Sequence, residues 1–283
     1  MAESSKTFVI IGLGLLGGSL GGALKRIFPK SNILGVSRSS SKIRLAEKRK
    51  LITSGTTDLK KAVSQANYIF ICTPVDTIPK LLLQIDRFAK KGTVVTDVGS
   101  TKGELIRWVE KRKLKNIQFV GSHPMAGSHL TGIEYATRDL YKNSFTFITR
   151  HPGMNQKAFA LTAQLWKKIC KHVVVIDAKI HDQVTADISH LPHLIASLLV
   201  MQASEASLRF ASTGFRDTTR VAAGDPRLWM PIFISNSKEL ITRLESFGAS
   251  LRKLISFLQT SNQAAIGRFL TQASKKRSHV KIV

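Results

Sequence analysis

The stretch that decides the fold is Thr7-Phe-Val-Ile-Ile-Gly12-Leu-Gly14-Leu-Leu-Gly17-Gly18-Ser19, near the start of the sequence. A run of β-forming residues breaks into Gly-x-Gly-x-x-Gly and continues as a helical pattern over 20–26. The first glycine permits a tight turn, the second lets the backbone approach a pyrophosphate, and the third lets helix and strand pack closely. Phosphates would bind the free N–H groups at the helix N-terminus. The pattern predicts a dinucleotide site formed by Gly12, Gly14, Leu15, Leu16 and Gly17.

A secretory signal peptide is the alternative for this region, because 8–24 is apolar and carries no formal charge. However, Lys6 is balanced by Glu3, so the basic segment that should precede the apolar stretch is poor. The stretch also holds six glycines, and no small-residue cleavage site leads into an obvious mature start. Dinucleotide binding is the favoured interpretation.

The length of 283 residues allows one large domain or two smaller ones, each with its own core. The best candidate for a transmembrane helix, 188–204, contains Pro192 and two histidines and is shorter than a typical span. A buried helix of a soluble domain is expected there, with no membrane partner. Cys72 and Cys170 are the only cysteines, which indicates reduced thiols in the cytoplasm.

The formal net charge of +25 raises nucleic-acid binding as an alternative function. The basic residues are scattered over predicted helix faces and a short tail at 275–277, and no stretch interleaves them with aromatic residues. A solvated basic surface is therefore expected, with no nucleic-acid partner. The same charge would attract an anionic small-molecule substrate and cofactor.

Short β-branched runs alternate with helical patterns in the first part of the chain, which is typical of βαβ units and a parallel sheet. Strands are predicted at 8–11, 33–36, 68–72, 94–98, 118–120, 145–148 and 173–176, and helices at 41–50, 101–111 and 156–171. Beyond about residue 178 only helical spacing is found, at 182–210, 225–258 and 262–276, with Pro192 expected to kink or interrupt the first. We expect an α/β Rossmann-type dinucleotide-binding domain at 1–177 and an all-α substrate domain at 178–283 that forms a homodimer.

Ligands of open α/β sheets bind outside the carboxyl ends of the strands. Thr73 and Pro74 follow a predicted strand and are expected to contact the cofactor. The second strand ends in Ser37-Arg38-Ser39, where an NAD site usually has a carboxylate for the ribose hydroxyl. A guanidinium and hydroxyls suit a 2′-phosphate instead, which favours NADP, although NAD stays possible if Arg38 stacks on the adenine.

Four further segments are distinctive. They are Asp97-Val-Gly-Ser100-Thr-Lys102, Gly121-Ser-His123-Pro124-Met-Ala-Gly127, Ser189-His190-Leu-Pro-His193 and Gly214-Phe-Arg216-Asp217-Thr-Thr-Arg220. With the glycine loop, they resemble the prephenate/arogenate dehydrogenase family of tyrosine biosynthesis over nearly the whole chain. Within that family the chain most resembles the compact cyanobacterial-type arogenate dehydrogenases that use NADP.

The resemblance implies an oxidative decarboxylation, in which a hydride leaves the ring carbon that bears the hydroxyl while the ring carboxylate leaves as CO₂. It implies that His123 is the base, that Ser100 orients the hydroxyl, and that Arg220 binds the ring carboxylate. It also implies that Ser189, His190, His193 and Arg216 line the substrate pocket, with Asp217 nearby.

The residues leave four alternatives to be weighed. Many family members carry an acidic residue two positions after the glycine of His-Pro-Met-x-Gly, whereas this chain has Ser128 and His129 after Gly127, so arogenate is only modestly favoured over prephenate. Ser100 could instead cap the following helix. A metal pair at His190 and His193 lacks further ligands and is not expected, and a β-hydroxyacid or imine reductase is a more remote alternative.

Overall fold

The computed structural model describes residues 6–127 and 130–280. Its first part is built on a six-stranded parallel sheet with the order β3-β2-β1-β4-β5-β6. The strands are β1 (Thr7–Ile11), β2 (Asn32–Val36), β3 (Ser54–Thr56), β4 (Tyr68–Ile71), β5 (Thr93–Asp97) and β6 (Ile117–Val120). The strand order reverses between β1 and β4, and in such sheets the dinucleotide lies across this reversal at the carboxyl ends.

Helices cover both faces of the sheet. They are α1 (Leu15–Ile27), α2 (Ser40–Lys48), α3 (Leu59–Val63), α4 (Ile78–Phe88), α5 (Gly103–Lys111) and α6 (Gln156–Ile169). Alternate residues of β1 point to opposite faces, so Phe8 and Ile10 join the core under α1 and α6, whereas Val9 and Ile11 join the core under α3, α4 and α5. Both faces are therefore buried, as a parallel sheet requires.

A second sheet has three strands, β7 (Ser122–Pro124), β8 (Phe145–Arg150) and β9 (His172–Asp177), in that order. Strand β7 is antiparallel to β8, and β8 is parallel to β9. The strand predicted at 118–120 ends at Val120 as expected, but no strand was predicted at Ser122–Pro124, where the chain enters the second sheet at once. His123 thus lies on a strand, where its backbone is fixed by pairing with Phe147.

The second part of the described chain is helical. It comprises α7 (Ala178–Thr185), α8 (Leu191–Gln202), α9 (Glu205–Leu208), α10 (Thr213–Thr219), α11 (Pro226–Ser235), α12 (Ser237–Gln259) and α13 (Gln263–Ser278). A π-helical turn, Ala186–His190, joins α7 to α8 directly before Pro192. The helix therefore continues through Pro192 without interruption, because the wider π turn accommodates the missing backbone N–H of the proline.

The combined helix Ala178–Gln202 is long and apolar enough to cross a membrane, by length and composition alone, with a mean hydropathy of 1.4. His181, Asp182 and His193 on this helix are buried inside the protein. The expectation of a buried helix is only partly met, because 28% of the apolar window is buried. Its exposed apolar residues include Ile188, Leu198, Leu199 and Met201.

Candidate active site

The glycine loop between β1 and α1 has the geometry that its sequence predicts. Gly12 has φ +100°, and a Cβ there would lie 2.7 Å from the carbonyl oxygen of Cys72. A Cβ on Gly17 would overlap the carbonyl oxygen of Gly12, so this position also tolerates only glycine. By contrast, a Cβ on Gly14 would meet no atom within 4 Å, because the loop faces open space there. Leu15 and Leu16 begin α1 beside that space, with N–H groups suited to a phosphate.

The opposite wall of the loop is formed by the residues that follow β4. A Cβ on Gly12 would lie 2.9 Å from the Cγ2 of Thr73, which brings Thr73 to the loop. The hydroxyl of Thr73 pairs with that of Thr77 at 2.7 Å, and Pro74 is exposed next to it. Both residues therefore lie at the carboxyl edge, beside the reversal of strand order.

The end of β2 combines hydroxyls and one guanidinium without a carboxylate. Ser39 is the N-cap of α2 and accepts the N–H of Lys42, while its own N–H donates to the hydroxyl of Ser37 at 3.2 Å. Arg38 is exposed beside these groups. A helix N-terminus, hydroxyls and a guanidinium make this end of the loop suited to an anion.

His123 is a buried, strongly perturbed titratable group at this edge of the sheet. Its ring is 8% exposed, and its Nδ1 lies 2.9 Å from the Nε2 of His181. Burial lowers the pKa of His123 well below its usual value, and the nearby His181, Lys102 and His190 lower it further. The ring is consequently neutral near pH 7 and is able to accept a proton.

A buried ion pair positions the strand that carries His123. The Nζ of Lys102 lies 2.5 Å from the Oδ2 of Asp97, and both side chains have no exposed surface. The other oxygen, Oδ1, accepts the N–H of Ser122 at 3.0 Å, and the hydroxyl of Ser122 donates to the backbone oxygen of Asp97. Asp97 thereby ties the end of β5 to the residue before His123.

Ser100 lies between Asp97 and α5 and is partly exposed. The suggestion that Ser100 caps this helix is wrong, because the helix begins at Gly103 and has no local side-chain cap. Asp182 from α7 supplies the cap instead. Its two oxygens accept the N–H groups of Lys102 and Gly103 at 2.8 and 2.7 Å, which leaves the Ser100 hydroxyl available to a ligand.

The π turn carries two of the predicted pocket residues. His190 is fully buried, and Ser189 is partly buried. The side-chain amide of Asn236 donates to the Nδ1 of His190 at 3.0 Å and to the backbone oxygen of Asp182. The proton of a neutral His190 is therefore on Nε2, which has no partner among the described residues. Burial lowers the pKa of His190 to about 4.

His193 lies one turn further along α8 and stacks on Trp229, with ring centroids 3.8 Å apart. Its buried Nδ1 also lacks a partner among the described residues. Burial lowers the pKa of His193, so the ring is neutral. Two unsatisfied nitrogens on neighbouring turns are unusual in a protein interior, and a polar ligand would satisfy them.

The two arginines predicted to bind substrate, Arg216 and Arg220, are exposed, unlike the buried histidines. Arg220 begins a 3-10 turn, Arg220–Ala223, which packs on α8. This turn ends beside His193, since a Cβ on Gly224 would lie 2.8 Å from the His193 ring. Arg216 and Asp217 are exposed on α10, and no described contact brings them to the histidines. His129 and Ser128 lie outside the described residues.

Sequence reasoning missed His181, Asp182, Asn236 and Trp229 as parts of this site. The available signal was the pair His181-Asp182 at the start of an otherwise apolar helical segment. Buried charged and polar groups on such a helix need partners, and functional sites are where they concentrate.

Comparison with known proteins assigns both parts of the chain. Residues 20–175 match the model described as "Prephenate dehydrogenase, nucleotide-binding domain", and residues 177–272 match "Prephenate dehydrogenase, dimerization domain". The prephenate dehydrogenase of Lactococcus lactis subsp. cremoris is 33% identical over 285 residues, which cover 98% of this chain and 78% of that protein.

Two solved structures extend the comparison. The prephenate dehydrogenase from Aquifex aeolicus, in complex with hydroxyphenyl propionate and NAD+, has a TM-score of 0.91 and 28% identity, covering 99% of this chain and 100% of that one. The Synechocystis arogenate dehydrogenase has a TM-score of 0.81 and 28% identity, covering 96% and 99%. These matches confirm the resemblance and decide against the β-hydroxyacid and imine reductases. The chain therefore belongs to the prephenate dehydrogenase family, oxidoreductases of tyrosine biosynthesis that use a nicotinamide dinucleotide.

Proposed function

We propose that the protein oxidatively decarboxylates arogenate to tyrosine with NADP, and that His123 is the general base. A bound nicotinamide dinucleotide supplies the hydride acceptor. The ring carbon that bears the hydroxyl would lose its hydrogen as a hydride to that acceptor, and the hydroxyl proton would pass to His123. The ring carboxylate would leave as CO₂, and the electron pair of the broken C–C bond would complete the aromatic ring. The observation that carries this proposal is a buried, neutral His123, tied through Ser122 to Asp97 at the carboxyl end of β5, the edge of the sheet at which the glycine loop also lies.

The substrate pocket is proposed to lie between His123 and the π turn. Ser100 would orient the ring hydroxyl, and Arg220 would hold the ring carboxylate through paired N–H groups. The unsatisfied nitrogens of His190 and His193 support a polar ligand there. Ser189, on the same turn, would line the pocket, and Arg216 would contribute from its edge.

NADP is proposed over NAD on the basis of the residues after β2. Ser37, Arg38 and Ser39 stand at the N-terminus of α2, where a 2′-phosphate would find hydroxyls, a positive charge and the helix dipole. A carboxylate at this point would repel the phosphate, and the segment has none. Gly12, Gly14, Leu15, Leu16, Gly17, Thr73 and Pro74 would hold the rest of the cofactor.

Prephenate is the second candidate substrate, because the relatives include proteins named prephenate dehydrogenase as well as an arogenate dehydrogenase. The two compounds share the ring and differ in the side chain, which has an ammonium in arogenate and a ketone in prephenate. Asp217, which is exposed on α10, is the carboxylate proposed to meet the ammonium.

We further propose a homodimer in the cytoplasm, with a dinucleotide-binding domain at 1–177 and a helical domain at 178–283. The match to a dimerization domain supports the dimer. So does the exposed apolar surface of the helical part, where Phe210 is 87% and Ile234 is 69% exposed. The two free cysteines are compatible with a reducing compartment.

Steady-state assays with each purified substrate and each cofactor test the proposed function. We expect reduced cofactor to form with both substrates, with a higher kcat/KM for arogenate and for NADP. A tenfold or greater preference for prephenate would contradict the assignment of arogenate as the substrate. Equal or better efficiency with NAD would contradict the assignment of NADP as the cofactor. No turnover with any combination would overturn the activity itself.

A further inference from the structure

The proposed base is the end of a chain of three hydrogen-bonded side chains. His123 Nδ1 lies 2.9 Å from His181 Nε2, and His181 Nδ1 lies 2.8 Å from Asp182 Oδ1. The His181 side chain has no exposed surface and packs edge-on against Phe147. The three groups form one buried line from α7 to β7.

The ends of this line determine where each proton lies. The Asp182 oxygens already accept the N–H groups of Lys102 and Gly103, so Asp182 acts as a carboxylate that can only accept. His181 must therefore donate from Nδ1, and because burial lowers its pKa the ring is neutral and its Nε2 bears a lone pair. That lone pair can only accept, so His123 donates from its own Nδ1.

We propose that Asp182 and His181 are positioning residues that hold His123 in its Nδ1–H tautomer, with the Nε2 lone pair free for the substrate's hydroxyl proton. Among residues 6–127 and 130–280, the hydrogen bond described for the His123 ring is the one at Nδ1, which leaves Nε2 for the substrate. When Nε2 takes the proton, the imidazolium keeps its Nδ1–H bond to His181, and His181 keeps its bond to the carboxylate. No proton moves along the line; the carboxylate stabilises the new charge through His181.

The same carboxylate joins the two parts of the protein. Asp182 belongs to the helical part, but it caps α5 of the dinucleotide-binding part. The tautomer of the base is consequently fixed only when the two parts are docked. Lys102 contacts both acidic residues, because its ammonium pairs with Asp97 and its backbone N–H donates to Asp182.

This inference rests on the proposed function, since it assigns partners to the proposed base. Its test uses two substitutions of one residue in the full-length protein. His181→Phe keeps a planar ring of similar volume but removes the acceptor from His123. His181→Gln gives up the ring but places a carbonyl oxygen where Nε2 was. His172→Gln, at an exposed histidine on β9, is the matched control.

We expect His181→Phe to lower kcat about 100-fold, the scale of losing a correctly protonated base, with KM changed by less than about threefold. His181→Gln should keep kcat within about tenfold of the wild-type value, and His172→Gln should match the wild type. A purely structural ring would give the opposite order, because Phe keeps the ring that packs against Phe147 and Gln does not. If His181→Phe retains as much kcat as His181→Gln, then His181 does not set the tautomer of His123.

Nitrogen-15 NMR of histidine-labelled protein gives a second readout that does not depend on a variant. The resonances of His123, assigned by their loss in His123→Asn, should show a protonated Nδ1 and an unprotonated Nε2 at neutral pH. A protonated Nε2 on His123 in the wild type would contradict the proposed tautomer, even with the activity intact. Failure of the proposed function is distinct, because then the wild type would not turn over or His123→Asn would be fully active.

Discussion

Lys102→Met is expected to destabilise the protein strongly, because it leaves the buried carboxylate of Asp97 without its cation. The Lys102 ammonium donates to Asp97 Oδ2 at 2.5 Å and to the backbone oxygens of Gly99 and Thr101 at 2.8 and 3.1 Å. Methionine has a similar length but no charge and no donor. The Asp97 carboxylate, with no exposed surface, would keep only the N–H groups of Gly99 and Ser122.

Removing one partner of a buried ion pair costs about 3–5 kcal/mol of unfolding free energy. For a protein of this size that corresponds to a fall in Tm of roughly 6–20 °C. Circular dichroism melts of the wild type and the variant measure it, and Lys111→Met, exposed at the far end of α5, is the control expected to change stability by less than about 0.5 kcal/mol. Adding Asp97→Asn should restore at least half of the loss, because this pair of positions then carries no charge. A Tm for Lys102→Met within about 2 °C of the wild type would refute this account of the ion pair.

Three further predictions concern the cofactor, the substrate and the response to pH. Ser37→Asp should shift the ratio of kcat/KM values toward NAD by about tenfold or more, since a carboxylate there repels a 2′-phosphate; an unchanged ratio would remove Ser37 from the phosphate site. Arg220→Lys keeps the charge but loses the paired donors, so KM should rise about tenfold in a folded protein; an unaltered KM would direct attention to Arg216. The pKa of His190 in the folded protein is about 4, below its ordinary value of 6.5, so between these pH values unfolding takes up a proton. The free energy of unfolding therefore falls as the pH drops from 6.5 toward 4, by at most about 3 kcal/mol for this group. Urea midpoints at pH 7 and 4.5 should differ less for His190→Gln than for the wild type, and equal differences would contradict the buried neutral state.

The fold was largely predictable from local sequence. The seven predicted strands all occur in the structure, because each is a β-branched or aromatic run. Six of them are mostly buried in the two sheets, whereas β9 is largely exposed. The missed strands, β3 (Ser54–Thr56) and β7 (Ser122–Pro124), are three residues each and contain Gly or Pro. Their pairing depends on neighbours distant in sequence, which periodicity does not report.

The site was predictable only where a motif has a fixed spacing. The glycine loop and His123 belong to such motifs. The position of the loop follows from the predicted strand β1, whereas His123 lies on β7, which was not predicted. His181 and Asp182 act through contacts 58 and 80 residues away in sequence, with His123 and with the backbone of Lys102. No local pattern states that a carboxylate on one helix will cap another and orient an imidazole.

The most direct test of the central claim is the turnover of His123→Asn. Asparagine keeps a polar group of similar reach but cannot accept the substrate proton near pH 7. With saturating NADP and either substrate, kcat should fall about 100-fold or more while KM changes little, the range for loss of a positioned base. A variant that retains near wild-type kcat would contradict the assignment of His123 as the base.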